Sequence, residues 1–194
     1  MAFRRTRMLT LTGPPGVGKS RLALSLAWRL LPLYPDGALW VDVRAAAWAS
    51  APTQEAPKRL ILVLDNCEHA LAECADLTGQ LLGAWPDATM LVTSREPLGV
   101  VAEQTLNLAP LSLPDDDSLA AVQVSDAFHL FCDRATVVQP EFNVDAHAAE
   151  IAAICRCLDG IPLAIELAAA RADVLSPGQI LSRLNDEKLA FLVA

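Results

Sequence analysis

Apolar residues along this chain fall into short unbroken runs separated by stretches of helical period. Met8 to Thr12, Ala38 to Val43, Leu60 to Leu64 and Thr89 to Thr93 are dominated by Leu, Val, Met and Thr with no polar alternation. That pattern predicts strands buried on both faces. Thr105 to Leu108 predicts a short fifth strand. Ser20 to Leu31 carries Leu22, Leu26 and Leu30 on one helical face with Ala23 and Ala27 beside them, and Pro32 stops it. Leu71 to Trp85 predicts a second helix. Strands alternating with helices predict an α/β fold with a parallel sheet covered on both sides.

The pattern changes after the fifth strand. Ala109 to Ser118 contains Pro110, Pro114 and the run Asp115-Asp116-Asp117. A domain boundary is expected here, with residues 1–110 before it and 119–194 after it. The acidic run reads as a solvated linker, because its side chains need not converge on a cation. Beyond Leu119 the period is helical throughout. Ser125 to Val138 has Phe128, Phe131 and Ala135 in register, and Asp145 to Leu158 has Ile151, Ile154 and Leu158. Gly160 stands where a helix C-terminus favours a left-handed residue. Pro162 can open the next helix, through Ala168-Ala169-Ala170. Ser176-Pro177-Gly178-Gln179 offers an N-cap, a first-turn proline and a capping-box Gln. A small all-helical domain is expected.

Composition narrows the function. Of 194 residues, 53% are apolar and 20% charged, with a net charge of −8. An acidic field repels a phosphate backbone, so direct nucleic-acid contact by this segment is not expected. Arg, Lys or Asp breaks each apolar run before membrane-spanning length, so no membrane contact is expected either. The start, Met1 to Arg7, is basic, but no signal-type apolar stretch follows. The five cysteines are odd in number with no framework spacing, which suits a reducing compartment and a cytoplasmic location. Cys155 and Cys157, two apart on a helix, read as core thiols.

The chemistry begins at Gly13-Pro14-Pro15-Gly16-Val17-Gly18-Lys19-Ser20, which meets the pattern G-x-x-x-x-G-K-[ST] between a strand and a helix. Such glycines let backbone N–H groups curl around phosphates, and a helix N-terminus adds partial positive charge. Lys19 would reach the β- and γ-phosphates, and the Ser20 hydroxyl would ligate Mg²⁺. The Leu60 strand ends in Asp65, the place for a magnesium-side carboxylate, although an acid at a strand end is also a common turn former. Asn66 follows where a water-activating acid is often expected, and an amide takes no proton at neutral pH. Glu68 could substitute, or be an exposed first-turn residue. Cys67, Glu68 and His69 are adjacent, which prevents one shared metal site. Arg95, after the Thr89 strand, is open to two readings: a guanidinium pointed at the γ-phosphate, or a surface arginine.

Together these segments resemble a known family. Gly13 to Ser20 with Arg21-Leu22-Ala23, then Val63-Leu64-Asp65-Asn66-Cys67-Glu68-His69, then Thr93-Ser94-Arg95-Glu96-Pro97-Leu98, then Leu158-Asp159-Gly160-Ile161-Pro162-Leu163-Ala164-Ile165-Glu166-Leu167 through Arg171 occur in order. They are similar to the NB-ARC-type ATPase module of bacterial LuxR/AfsR-like transcriptional regulators, which are STAND-class signalling NTPases. The resemblance covers nearly the whole chain. It implies a nucleotide site formed by Gly13 to Arg21, with Asp65 as the magnesium-side acid and Arg95 as the γ-phosphate sensor. It implies that Pro162 packs near the base, where the residues alone read as a plain helix start. It also implies that the Thr93 strand lies between the Met8 and Leu60 strands, and that the helical segment is a lid over ATP or ADP with Mg²⁺. Nucleotide and the other domains or subunits of a regulator are the implied partners.

Three departures from the family bear on function. The upstream Gly-Arg-Glu motif that helps hold adenine is absent. Arg44 to Lys58 is shorter than usual and carries Pro52 and Pro57, so one helix is expected to be missing. The chain stops at Ala194, before a winged-helix domain and sensor repeats, which suggests a fragment or a degenerate copy. The leading expectation is a regulatory ATP–Mg²⁺ switch with slow or no hydrolysis. A turnover ATPase or phosphotransferase would need a base after Asp65 and an acceptor site, and the motifs supply neither. A non-binding interaction scaffold is the third reading, motivated by the missing adenine-side segment.

Overall fold

A computed structural model describes residues 6–45, 59–114, 122 and 124–193, with side chains up to residue 186. Pro52, Pro57 and the acidic run Asp115 to Asp117 lie outside the described residues. The described chain divides into two compact units, Met1–Leu108 and Ala109–Ala194.

The first unit is built on five parallel strands: β1 (Met8–Thr12), β2 (Ala38–Asp42), β3 (Ile61–Asp65), β4 (Thr89–Thr93) and β5 (Glu103–Asn107). Their order is β2-β3-β4-β1-β5, so β4 lies between β1 and β3 as the resemblance implies. Residues two apart along each strand share a face. Met8, Leu62, Leu64, Met90 and Val92 join Cys74, Leu81 and Trp85 of the segment around α2 (Leu71–Ala84). Leu9, Leu11, Ile61, Val63 and Leu91 form the other cluster, with Ala23 and Ala27 of α1 (Lys19–Leu30). The three central strands β1, β3 and β4 are buried on both faces and show no polar alternation, whereas β2, expected to be buried like them, is an edge strand with Ala38, Leu39 and Trp40 exposed.

Two further details differ from the sequence expectation. The residues buried on α1 are Lys19, Ala23 and Ala27, whereas Leu22, Leu26 and Leu30 are only partly buried. Small side chains on the helix's midline let its backbone approach the sheet, and the leucines fill the flanks. β5 starts at Glu103, two residues before the expected Thr105. It is an edge strand with mostly exposed side chains, so its backbone pairing from Met8↔Glu103 to Thr12↔Asn107 defines it, and no apolar run does.

The second unit contains α3 (Asp126–Val138), α4 (Ala148–Cys157), α5 (Pro162–Ala169) and α6 (Pro177–Val193). Phe128, Phe131, Ile151, Ile154, Ile165, Ile180 and Leu184 are in its core. Ser125 caps α3 by accepting from the Phe128 N–H at 3.3 Å. At α6 the capping box forms reciprocally: Ser176 N–H donates to Gln179 Oε1 at 2.9 Å, and Gln179 N–H to Ser176 Oγ at 3.4 Å. The expected helix from Asp145 is interrupted. Asp145–His147 is a 3₁₀ turn, and His147 (φ −123°, ψ 15°) leaves helical geometry before α4 begins.

α4 ends through two left-handed residues, Asp159 (φ 53°) and Gly160 (φ 67°). Gly160 O accepts from Leu111 N–H at 2.9 Å, and a Cβ on Gly160 would sit 2.5 Å from Leu111 O. Neither the dihedral nor the space admits a side chain. Among the described residues no helix is long and apolar enough to cross a membrane.

Gly160→Ala is expected to destabilise the second unit by about 1–3 kcal/mol from the left-handed backbone alone, more if Leu111 cannot shift, as read by urea denaturation. Phe131→Ala is expected to cost about 3–5 kcal/mol, with the loss of hydrogen-exchange protection concentrated in α3, α4 and α5.

Candidate functional site

The loop from Gly13 to Ser20 joins β1 to α1. Gly13 (φ 141°) passes under the chain leaving β5, where a Cβ would be 2.5 Å from Leu108 O. Val17 is buried, Pro14 and Gly16 are partly buried, and Pro15 is exposed. Gly18 (φ 101°) is the N-cap of α1 and supplies no side-chain acceptor to the helix's first N–H groups. Free N–H groups at a helix N-terminus after a glycine-rich loop are the donors that suit an anion.

Lys19 is buried, a costly place for an ammonium without partners. Its Nζ donates to Gly13 O at 2.9 Å and Pro14 O at 3.0 Å. Burial pushes its pKa down, and the Arg95 charge acts in the same sense, while Glu68 and Asp65 oppose it. Arg95, Glu68 and Asp65 are thus within electrostatic reach of Lys19.

Asp65 is buried and takes hydrogen bonds from three elements. Ser20 Oγ donates to Asp65 Oδ1 at 2.6 Å. Thr93 Oγ1, at the end of β4, also donates to Oδ1, and itself accepts from the Asn66 N–H at 3.0 Å. Asn66 Nδ2 donates to Asp65 Oδ2 at 3.2 Å and to Asp42 Oδ1 at 3.1 Å. Asn66 has φ 65°, a left-handed conformation that Asn tolerates better than most residues. Its amide therefore separates two carboxylates, a place where a further acid would be repelled. Asp42 in turn pairs with Arg44, Nη2 to Oδ2 at 2.7 Å. Hydrogen bonds from Arg44 hold the Asp42 carboxyl well below the usual range.

Arg95 Nε lies 3.3 Å from Glu68 Oε1. The Arg95 side chain is 58% exposed and that of Glu68 14%. Of the two readings open for Glu68, the exposed one does not hold. Arg95 keeps much of its surface but is tied to the site through Glu68. The three adjacent side chains diverge: Cys67 is buried in the core, Glu68 faces Arg95 and His69 is exposed. Arg21 is exposed in the first turn of α1. Pro162 belongs to the second unit, where it opens α5, and its role toward a base rests on the resemblance.

Three members of this cluster carried no assigned role, or an open one, in the sequence. Asp42 pairs in register with Asp65, and both are acids at the end of an apolar strand, which is the signal that marks it. Thr93 was visible only as a strand end, since its hydroxyl contact depends on the β3–β4 register. Glu68 needed the turn after Asn66 to bring it back to the site.

Chemically, the loop and the Lys19 ammonium suit a ligand with several anionic oxygens. The Ser20 hydroxyl and the Asp65 carboxylate form an oxygen-only donor pair, which fits a hard cation such as Mg²⁺.

No protein-family model matches the chain. A Mycobacterium tuberculosis (strain ATCC 25618 / H37Rv) protein named as an HTH-type transcriptional regulator is 40% identical over 206 residues, covering 94% of this chain and 22% of the relative. An uncharacterized protein of the same organism is 40% identical over 205 residues, covering 93% of this chain and 49% of the relative. The chain thus spans between 22% and 49% of the length of the curated relatives it matches. Among solved structures it is similar to a signal transduction ATPase with numerous domains (STAND) protein with a tetratricopeptide repeat sensor from Pyrococcus horikoshii. The TM-score is 0.54 at 13% identity, over 94% of this chain and 30% of that one. It is also similar to a chain in the structure of Drosophila ORC bound to DNA, with a TM-score of 0.55 at 12% identity over 93% and 61%. At such identities the likeness is one of fold. The fold is α/β, a parallel five-stranded core of P-loop NTPase type followed by a helical unit.

Proposed function

We propose that this chain is the ATP–Mg²⁺-binding switch module of a signal-transduction and transcriptional regulator, of the NB-ARC type, with slow hydrolysis. The observation that carries this reading is the buried Lys19 ammonium inside the Gly13 to Ser20 loop, beside a Ser20–Asp65 oxygen pair 2.6 Å apart. In this reading the loop N–H groups and Lys19 bind the phosphates, and Arg21 lies at the rim. Ser20 and Asp65 hold Mg²⁺, which neutralises charge on the phosphate oxygens. Arg95 reads the third phosphate, and Pro162 contributes to the base side. ADP occupies the same loop without the contact to Arg95. Differential affinity for ATP and ADP then biases the helical unit between two arrangements.

The regulator part of the proposal is supported by the name of the mycobacterial relative and by the STAND protein among the structural neighbours. Slow turnover is supported by Asn66, whose amide is occupied between Asp42 and Asp65.

Equilibrium titration with a fluorescent ATP analogue in Mg²⁺ tests the binding site. Saturable binding is expected, and Lys19→Ala should weaken it by at least about 100-fold, the scale of a lost charge-assisted contact in a buried site. Binding unchanged by Lys19→Ala would refute the assignment. Asn66→Asp places a third carboxylate against Asp42 and Asp65. It is expected to lower stability by about 1–3 kcal/mol without raising phosphate release, as followed by thermal unfolding and a phosphate sensor. A gain in turnover would show that Asn66 is simply a missing base.

A further inference from the structure

We propose that Glu68 is the carboxylate that orients and deprotonates the attacking water, and that Arg95 holds it back until a third phosphate draws the guanidinium away. The inference rests on the ATP–Mg²⁺ reading above.

Asn66, in its left-handed conformation, leads into the 3₁₀ turn Cys67–His69, and this brings Glu68 beside the strand ends. One Glu68 oxygen, Oε1, pairs with Arg95 Nε at 3.3 Å. The other, Oε2, is buried with no hydrogen-bond partner. An orphaned buried carboxylate oxygen is costly, and such groups are kept where they have work to do. The two acids that end β2 and β3 are committed. Asp42 is in an ion pair with Arg44 and accepts from Asn66. Asp65 Oδ1 takes two hydroxyls and Oδ2 takes the Asn66 amide. Unlike Asp42 and Asp65, Glu68 keeps a buried oxygen without a partner, and its charge is felt by Lys19.

A γ-phosphate presents several anionic oxygens and competes with Glu68 for the Arg95 guanidinium. Once released, Glu68 accepts a proton from water as the water oxygen bonds to the γ-phosphorus. The bond from that phosphorus to the β–γ bridging oxygen breaks, and ADP leaves with the bridging oxygen. Glu68 then passes its proton to the inorganic phosphate. Needing Arg95 to move before the base is free makes the reaction slow.

The test uses the full chain, wild type, Glu68→Gln and Arg95→Ala, with two readouts in Mg²⁺: titration with fluorescent ATP and ADP analogues, and single-turnover phosphate release. Circular dichroism confirms folding of each variant. Glu68→Gln is expected to keep ATP binding and to raise the ATP-over-ADP affinity ratio by about fivefold, since Arg95 loses its competitor. Its phosphate release should fall by about 100-fold. Arg95→Ala should abolish the ATP-over-ADP preference. Wild-type release in Glu68→Gln, or an unchanged affinity ratio, overturns the proposal. So does a wild type that binds ATP yet releases no phosphate above the Lys19→Ala background. A wild type that binds neither analogue instead sinks the ATP reading, and this proposal with it.

Discussion

A carboxyl group buried at the end of a strand is costly unless donors surround it, and Asp65 is such a group. It takes two hydroxyls and an amide, from α1, β4 and the residue that follows it. Leaving a buried acceptor of this kind short of a donor costs about 1–3 kcal/mol. The position of the loop, the start of α1 and the register of β3 against β4 are therefore coupled through one side chain. The packing beneath supplies the rigidity. Ala23 and Ala27 let α1 lie close on the sheet, so Ser20 arrives within hydrogen-bond reach of Oδ1.

The same constraint explains why the position after Asp65 is an amide. A row of polar groups runs along the strand ends from Arg44 through Asp42, Asn66 and Asp65 to Thr93 and Ser20. Each acid in that row has a donor on it. An acid at residue 66 would place three negative groups in one partly buried line. Glu68 lies outside the row, where Arg95 balances its charge. A positive pair, Lys19 and Arg95, then faces a negative pair, Asp65 and Glu68. This balance suits a site that exchanges internal partners for phosphate oxygens.

Much of this was legible in the sequence because the signals were local. Strands buried on both faces announce themselves as unbroken apolar runs, and the loop pattern fixes Gly13, Gly18, Lys19 and Ser20 by spacing. Ser125 and the Ser176–Gln179 box gave helix starts for the same reason. What stayed hidden depended on neighbours distant in the chain. The edge strand β5 was expected, but its start at Glu103 was not, because Glu103 and Gln104 carry no apolar signal and join the strand through pairing with β1. The alanine rather than leucine face of α1 turns inward because of sheet proximity, which hydrophobicity alone ranks the other way. Asp42 becomes part of the site only once β2 pairs with β3 in register, and Glu68 only once the chain turns at Asn66. His147 breaks a helix that periodicity carries through unbroken.

The proposed switch requires that the site distinguish a third phosphate through Arg95 and not merely bind phosphate. Thermal unfolding with ATP–Mg²⁺ and with ADP–Mg²⁺ at equal concentration measures this most directly. With ATP–Mg²⁺ at about 100 times its dissociation constant, the unfolding temperature is expected to rise by about 5 °C or more, and by less with ADP–Mg²⁺. Equal shifts with the two nucleotides would contradict the account.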